Sequence, residues 1–442
     1  MRIWALLTAA SLLLGAALPA AAQQAGALSP EERMRETLLY GIEGEVLQVI
    51  ARLKASGDDS LHPELLRTFQ ATSNPAVAAA VLDLFALAEV RDAEKTALER
   101  LADPDGDPRL LVPCMRYLAA IRSVAAAQPL AAFLDSGDEL AAAAIQSLAA
   151  LGQQSSGEAL LARLRDPEYS PGLKSQLLLA LGTLKYQPAV EDLIQVVANP
   201  DEERVRRMYA ASALGEIGDA RALPALRELF GAQDSLLRAY AAAALAGFQL
   251  SEVEAALQDA LRDGNARVRQ AAAKALARKD ARKSVDILIY KARYDPERQV
   301  RLEAIRSLGA IGEARSLAYL REAYQDRLLG NLYREEALAA LLQHDPGGSL
   351  GAVRAVVEEE WSRKDAAVLE FTARRLSALK QAGLGELFRR FLESPNLVIR
   401  LYGLRGARLN RLGSLREKVR ELAEGDPHPS VRREAQLVFE AL

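Results

Sequence analysis

The sequence predicts an all-α fold, a right-handed α-solenoid of about 12 or 13 antiparallel helix pairs. Three observations carry that prediction. A motif recurs along most of the 442 residues at intervals averaging about 32, a period typical of helix-pair arrays. Inside each copy the apolar residues fall at helical spacing. The composition is half apolar, 26% charged and only 5% aromatic, with Ala, Leu, Arg and Glu abundant, and those side chains lose little rotamer freedom in a helix.

The motif is plainest at Leu214–Phe230, "LGEIGDARALPALRELF", and returns at Leu308–Tyr324 as "LGAIGEARSLAYLREAY". The apolar residue before the first Gly, with the apolar residue eight positions earlier, defines a frame whose clear copies are Val268–Leu276, Val300–Leu308 and Leu237–Leu245. Its end positions are Phe85, Ala119, Leu148, Leu181, Leu214, Leu245, Leu276, Leu308, Leu341, Leu376, Ala407 and Phe439, with gaps of 29 to 35 residues. Apolar residues at offsets 0, 4, 5 and 8 form one face of a helix. After a Gly-containing joint comes a second amphipathic segment such as "RALPALRELF", then a polar link such as "DPERQ" or "RDGNAR". Each unit is therefore two antiparallel helices, and stacked neighbours cover the face that neither helix buries alone.

The joint has its own chemistry. A Gly after the last apolar residue of the joint is expected to take a positive φ at the helix C-terminus. Asp219 is expected to cap the next helix, with Pro224 and Pro188 near helix starts, where a missing N–H costs least. Small residues in mid-frame, Ala210–Ala211, Ala241–Ala242, Ala271–Ala272 and Ala304, let adjacent helices approach.

These residues resemble HEAT repeats, an armadillo-like class, and specifically the short HEAT-like type of phycobilisome lyases. The pattern "VRxxAxxALGxIGD" followed by "RALPALxxL" is matched well at 202–230, 265–290 and 298–324, so 202–330 holds the best repeats. The Trp/Gly/Tyr pattern of tetratricopeptide arrays and the Thr-Pro-Leu-His of ankyrin arrays are absent.

The chain opens with Arg2, an uncharged apolar run from Ile3 to about Ala17, and Ala20–Ala21–Ala22 ahead of Gln23. This is the layout of a secretory signal cleaved after Ala22. Residues 1–22 are read as signal peptide, 23–74 as linker and divergent capping unit, and 75–442 as solenoid. The apolar run is shorter than the roughly 20 residues a membrane anchor needs. The mature chain is expected to be exported, periplasmic or secreted, with no transmembrane span. Cys114 is the only cysteine, and its apolar setting in "LLVPCMRYLAAI" reads as an inert buried thiol. Without the signal there are 55 basic and 59 acidic residues, but 361–442 carries 16 basic against 10 acidic, net +6, leaving net −10 on 23–360.

Arg follows the first frame residue at Arg207, Arg238, Arg269, Arg301, Arg334, Arg400 and Arg432, with an acid or Asn a few residues before it at Asp201, Asp234, Asp263, Asp295, Asn396 and Asp426. The resemblance implies two readings of this row. In the family such pairs form a hydrogen-bonded ladder between units; alternatively the same helices line a concave face, and spare guanidiniums form a stripe for carboxylates or phosphates. At the basic end, Arg374, Arg375, Arg389, Arg390, Arg405, Arg408 and Arg411 have no obvious local acid. A third candidate surface is 290–334, where Tyr290, Tyr294, Tyr319, Tyr324 and Tyr333 alternate with Arg293, Arg298, Arg301, Arg321 and Arg327. Tyr and Arg are residues that protein interfaces favour.

Catalytic chemistry is thinly represented. "HDPGGSLG", His344–Gly351, contains Gly347-x-Ser349-x-Gly351, but a nucleophile elbow needs a preceding strand and Leu338–Leu342 belongs to the helical frame. The three histidines, His62, His344 and His428, are far apart and none is followed by Glu, which excludes the iron-binding HEAT-repeat hydroxylases. The acidic runs Asp201–Glu203 and Glu358–Glu360 read as solvated charge. The expectation is a non-enzymatic exported scaffold that binds a protein through its concave, Arg-containing surface, without metal or cofactor. The alternatives are a phycobilisome-lyase-like or other HEAT-repeat enzyme or chaperone, and a binder of an acidic envelope polymer or nucleic acid at the basic end. Nucleic acid is not expected, because the net charge lacks the positive field phosphate binding relies on.

Overall fold

In the structure, a computed structural model describing residues 29–103, 105–278, 280–363 and 366–442, 26 α-helices alternate with short turns and 3₁₀ segments, and there is no strand among the described residues. The signal segment 1–22 lies outside the described residues. The helices form thirteen antiparallel pairs. In each pair a return helix precedes a frame helix, the one carrying the apolar frame. The architecture is the all-α solenoid expected from the period.

The chain divides into two compact units, 1–153 and 154–442. The first holds four described pairs, from Pro30–Tyr40 with Glu43–Ser56 to Ala127–Ala132 with Asp138–Leu151. Helix Glu43–Ser56 is an additional frame copy: Leu53 is buried 32 residues before Phe85, with Ile50 and Val46 beside it. It escapes the apolar pattern because Glu45 stands at its first frame position. Helix Pro75–Leu87 packs on it within the same unit. The second unit holds nine pairs, from Ser156–Arg165 with Pro171–Thr183 to Arg416–Gly425 with Pro429–Ala441. Within each unit the frame helices pack extensively on successive frame helices, and the return helices touch one another more sparsely.

The frame positions form the core. Val268, Ala272, Ala273 and Leu276 are all buried, as are Val300, Ala304, Ile305 and Leu308. Two frame ends shift by one residue. In helix Pro108–Ala120 the fully buried set is Cys114, Met115 and Leu118, so the frame ends at Leu118, and the Ala119 register would have put the exposed Arg116 in the core. In Pro429–Ala441 the buried residues are Val431, Ala435 and Val438, while Phe439 is half-exposed beneath the guanidinium of Arg416. Among the described residues no further pair packs on that helix.

The two joint glycines have separate roles. Gly215 is helical, in Arg204–Ile217, and the left-handed residue is Gly218, with φ 71°. Gly312, Gly152 and Gly57 do the same at their joints, with φ 64°, 74° and 67°. Gly215 instead lets two helices touch: a Cβ there would lie 2.7 Å from both Cα and carbonyl O of Ala244 on the next frame helix. Gly182 against Ala213 and Gly309 against Ala340 repeat the contact. Asp219 caps as expected, accepting a hydrogen bond from Arg221 N at 2.9 Å.

Candidate functional site

A residue one place after the frame start sits in the first turn of its helix, where side chains lean back toward the N-terminus. The arginine row therefore points toward the loops joining return helices to frame helices, along one edge of the second unit, and not across the outer surface of the frame layer. Arg269 donates to Asp295 through Nε and Nη2, both at 2.8 Å, and to the carbonyls of Asp263 and Gly264. Arg238 grips Asp263 at 2.7 and 3.0 Å, and Arg400 reaches Asp426 at 2.8 Å. Each acid belongs to the following repeat. Burial pushes the Asp295 carboxyl up, but Arg269, the Glu297 N–H and Lys291 together hold it below its ordinary value.

A second rung geometry appears at Arg334. Its Nε donates to the carbonyl of Tyr324 at 3.0 Å, at the end of the preceding return helix, and its Nη2 to Glu360 at 2.8 Å, with both charged groups buried. Glu360 is thus a rung and not solvated charge; its neighbour Glu358 meets Arg390 at 3.2 Å. The clue was in the spacing, since Glu360 follows Arg334 by 26 residues, as Asp295 follows Arg269 and Asp426 follows Arg400. Tyr324 is fully buried, its hydroxyl 2.9 Å from Thr372 Oγ1, so it belongs to the core and not to a surface.

The ladder breaks at two of the candidate arginines, and both breaks open into clefts. Arg301 keeps the Nε bond, to Ala292 O at 3.0 Å, but carries Arg327 at the 26-residue position. Its guanidinium lies 3.9 Å over the ring of Tyr333. Beside it is a cleft of about 330 Å³ lined by Arg293, Tyr294, Arg301, Tyr319 and Glu322. Arg293 stacks over Tyr319 at 5.0 Å and pairs with Glu322 at 2.9 Å. On the rim, Tyr290 and Tyr294 are 58% and 65% exposed with ring centroids 5.3 Å apart, and Leu328 in the adjoining loop is 99% exposed. The structure thus brings Tyr294, Tyr319 and Arg301 together at the cleft, with Tyr290 against Tyr294. The other break is at Arg207, whose Nε donates to Val197 O at 3.0 Å.

At the basic end three of the four candidate arginines are matched from neighbouring repeats, at a separation that local sequence inspection does not span. Arg374 and Arg375 converge on Glu335 at 2.6 and 3.0 Å. Arg408 is 4.0 Å from Glu434. Arg405 stands over its own helix's Tyr402 at 5.9 Å and is the one of these four without a carboxylate in ion-pair range among the described residues.

Ser349 lies in the first turns of helix Pro346–Arg363, buried, its Oγ donating to Asp345 O at 2.7 Å, with helix on both sides of the motif. Cys114 is buried, and desolvation pushes its thiol up to about 11. Among the described residues no cluster of His, Cys, Asp and Glu could hold a metal ion, and no helix is long and apolar enough to cross a membrane.

The profile of the family described as Spirochaete HEAT repeat protein matches residues 38–438. No curated protein matches the chain in sequence. Among solved structures, the CpcE–CpcF complex of phycocyanin lyase from Nostoc sp. is 25% identical over 50% of this chain and 88% of that one, with a TM-score of 0.35. Kap95p in complex with RanGDP is 15% identical over 93% of this chain, with a TM-score of 0.49; the match covers 66% of Kap95p, just under two thirds of its length. Human deoxyhypusine hydroxylase is 18% identical over 71% of this chain and 95% of that one, with a TM-score of 0.25.

Proposed function

Because the chain belongs to the Spirochaete HEAT repeat protein family, we propose that it is an exported, non-enzymatic scaffold that holds a protein partner at the Tyr/Arg edge of its second unit. The observation that carries this reading is the exposed Tyr290–Tyr294 pair beside Arg293 and Arg301, whose guanidiniums are already positioned over Tyr rings. Rigid aromatic anchors bordered by Arg are what interface hot spots are made of. A solenoid presents such groups on a long surface without having to rearrange. Export rests on the signal layout of residues 1–22, and an N-terminus beginning at Gln23 in the mature protein would support it. The second reading, an acidic polymer on residues 361–442, has the net charge of +6 in its favour, but Glu335 and Glu358 already occupy three of its arginines.

The test is quantitative crosslinking in intact cells, comparing the native chain with a Tyr290→Ser/Tyr294→Ser double variant. Both tyrosines are exposed, so the variant keeps its fold. A specific crosslinked protein reduced at least tenfold in the variant supports the reading. An unchanged crosslinking profile overturns it, and so does loss of the partner only when Arg374, Arg375, Arg405 and Arg408 are changed to Glu.

A further inference from the structure

We propose that the unfilled rung at Arg207 is a binding site for a peptide carboxylate with an apolar side chain next to it. The repeat itself shows what the site lacks. Arg207 and Arg334 share one geometry: Nε of each donates at 3.0 Å to a carbonyl ten residues back, near the end of the preceding return helix, Val197 O for one and Tyr324 O for the other. In Arg334 the outer nitrogen then donates to Glu360, 26 residues on. The residue 26 after Arg207 is Gln233, exposed, with only its backbone carbonyl engaged, by Arg238. No carboxylate of the chain lies within ion-pair range of Arg207 among the described residues.

The space where the acid would stand is open. Arg207 lines a cleft of about 730 Å³ whose walls include Val197, Pro200, Ala225, Leu229 and Leu237. A guanidinium with unused donors in a partly apolar cleft binds a carboxylate through charge-assisted hydrogen bonds, and the apolar walls call for a hydrocarbon group beside it. The acids present set the limit on charge. Asp234 lines the cleft too, holding Leu236 N at 2.8 Å and Arg204 at 3.4 Å, and Glu228 stands exposed beside it. Asp234 is already matched by Arg204, so Glu228 is the unmatched acid beside Arg207, and the site takes a single carboxylate and repels phosphates and polyanions. This site is separate from the tyrosine edge and does not rest on it.

The carboxylate can be a chain terminus or an acidic side chain, and three probes separate the sources: N-acetyl-leucine, N-acetyl-aspartyl-leucinamide and, without a carboxylate, N-acetyl-leucinamide. Binding to the full mature chain is measured by saturation-transfer NMR. At least one of the two carboxylates is expected to bind tenfold or more tightly than N-acetyl-leucinamide, and the source is whichever does so. Gln233→Glu, an exposed substitution that copies the Arg334–Glu360 rung, is expected to remove this preference while raising the melting temperature. Arg207→Gln is expected to remove it too. Equal binding of all three probes, binding of none, or a preference that survives in Gln233→Glu each overturns the proposal.

Discussion

Gly215 and Gly218 stand three residues apart in one joint, and different forces fix them. Gly218 is left-handed, where a Cβ meets the following carbonyl oxygen, a cost of roughly 1–2 kcal/mol. Gly215 is where two backbones touch, and a methyl there must displace the helix Ser235–Ala244. Gly215→Ala is therefore expected to lower stability by about 1–3 kcal/mol. The joints of other repeats supply the reverse experiment. Glu89, Arg122, Lys185 and Arg411 hold the left-handed position with φ of 50–55°, so Arg122→Gly should raise the denaturation midpoint by about 1 kcal/mol equivalent. If urea titration shows Gly215→Ala to be neutral, the close approach is not what selects glycine there. The sequence marks both glycines but not which is which, because helix contact and positive φ leave the same letter. The Arg269–Asp295 rung adds a pH dependence. The Asp295 carboxyl is held below its ordinary value, so the rung's stabilisation is present above about pH 4 and is lost as pH falls through the lowered value. Asp295→Asn strands a buried guanidinium, at a cost of about 3–5 kcal/mol. Its stability should then change less than the native chain's below pH 4 in acid titrations followed by circular dichroism.

A frame helix in this protein is only as secure as the helices on both sides of it. Among the described residues Pro429–Ala441 has a neighbour on one side, Leu397–Leu409, together with its own return helix Arg416–Gly425. Its uncovered face shows in the half-exposed Phe439 and in Leu437, which is exposed. The last amides of Pro429–Ala441 should exchange hydrogen at least tenfold faster than those of Leu397–Leu409, which has cover from both Ala366–Ser377 and Pro429–Ala441. Equal protection of the two would mean that stacking is not what stabilises the frame layer. At this helix the buried residues Val431, Ala435 and Val438 end the frame one residue before the Phe439 that the eight-residue offset picks out. In Pro108–Ala120 the frame also ends one residue early. Leu111 and Ala119 fit the eight-residue spacing and are themselves buried, so only the exposure of Arg116 distinguishes the two registers. The rungs were legible in a different way. A spacing of 26 picks out Asp295, Glu360 and Asp426 and also the substitution of Gln233, whereas the meeting of Arg374 and Arg375 with Glu335 follows from how two helices are set and has no counterpart in the repeat.

In a solenoid each pair contacts only its neighbours, so stability is a sum of local terms and cooperativity ends where those contacts thin out. Contacts in this chain cluster into 1–153 and 154–442. Each unit has its own buried frame layer, and the rungs from Arg238 to Arg400 close within the second unit. Residues 154–442 expressed alone are therefore expected to fold, and the full chain is expected to melt in two steps. Near 60 °C unfolding takes up about 0.7 kcal/mol per residue. The nine pairs of the second unit should then contribute an enthalpy of about 200 kcal/mol, and the four described pairs of the first about 90 kcal/mol. Scanning calorimetry should resolve two transitions in roughly that ratio, the larger coinciding with the melt of 154–442 alone. A single transition in the full chain, with 154–442 failing to show helical circular dichroism, would mean that the solenoid folds as one cooperative body and that the division at Gln153 has no thermodynamic counterpart.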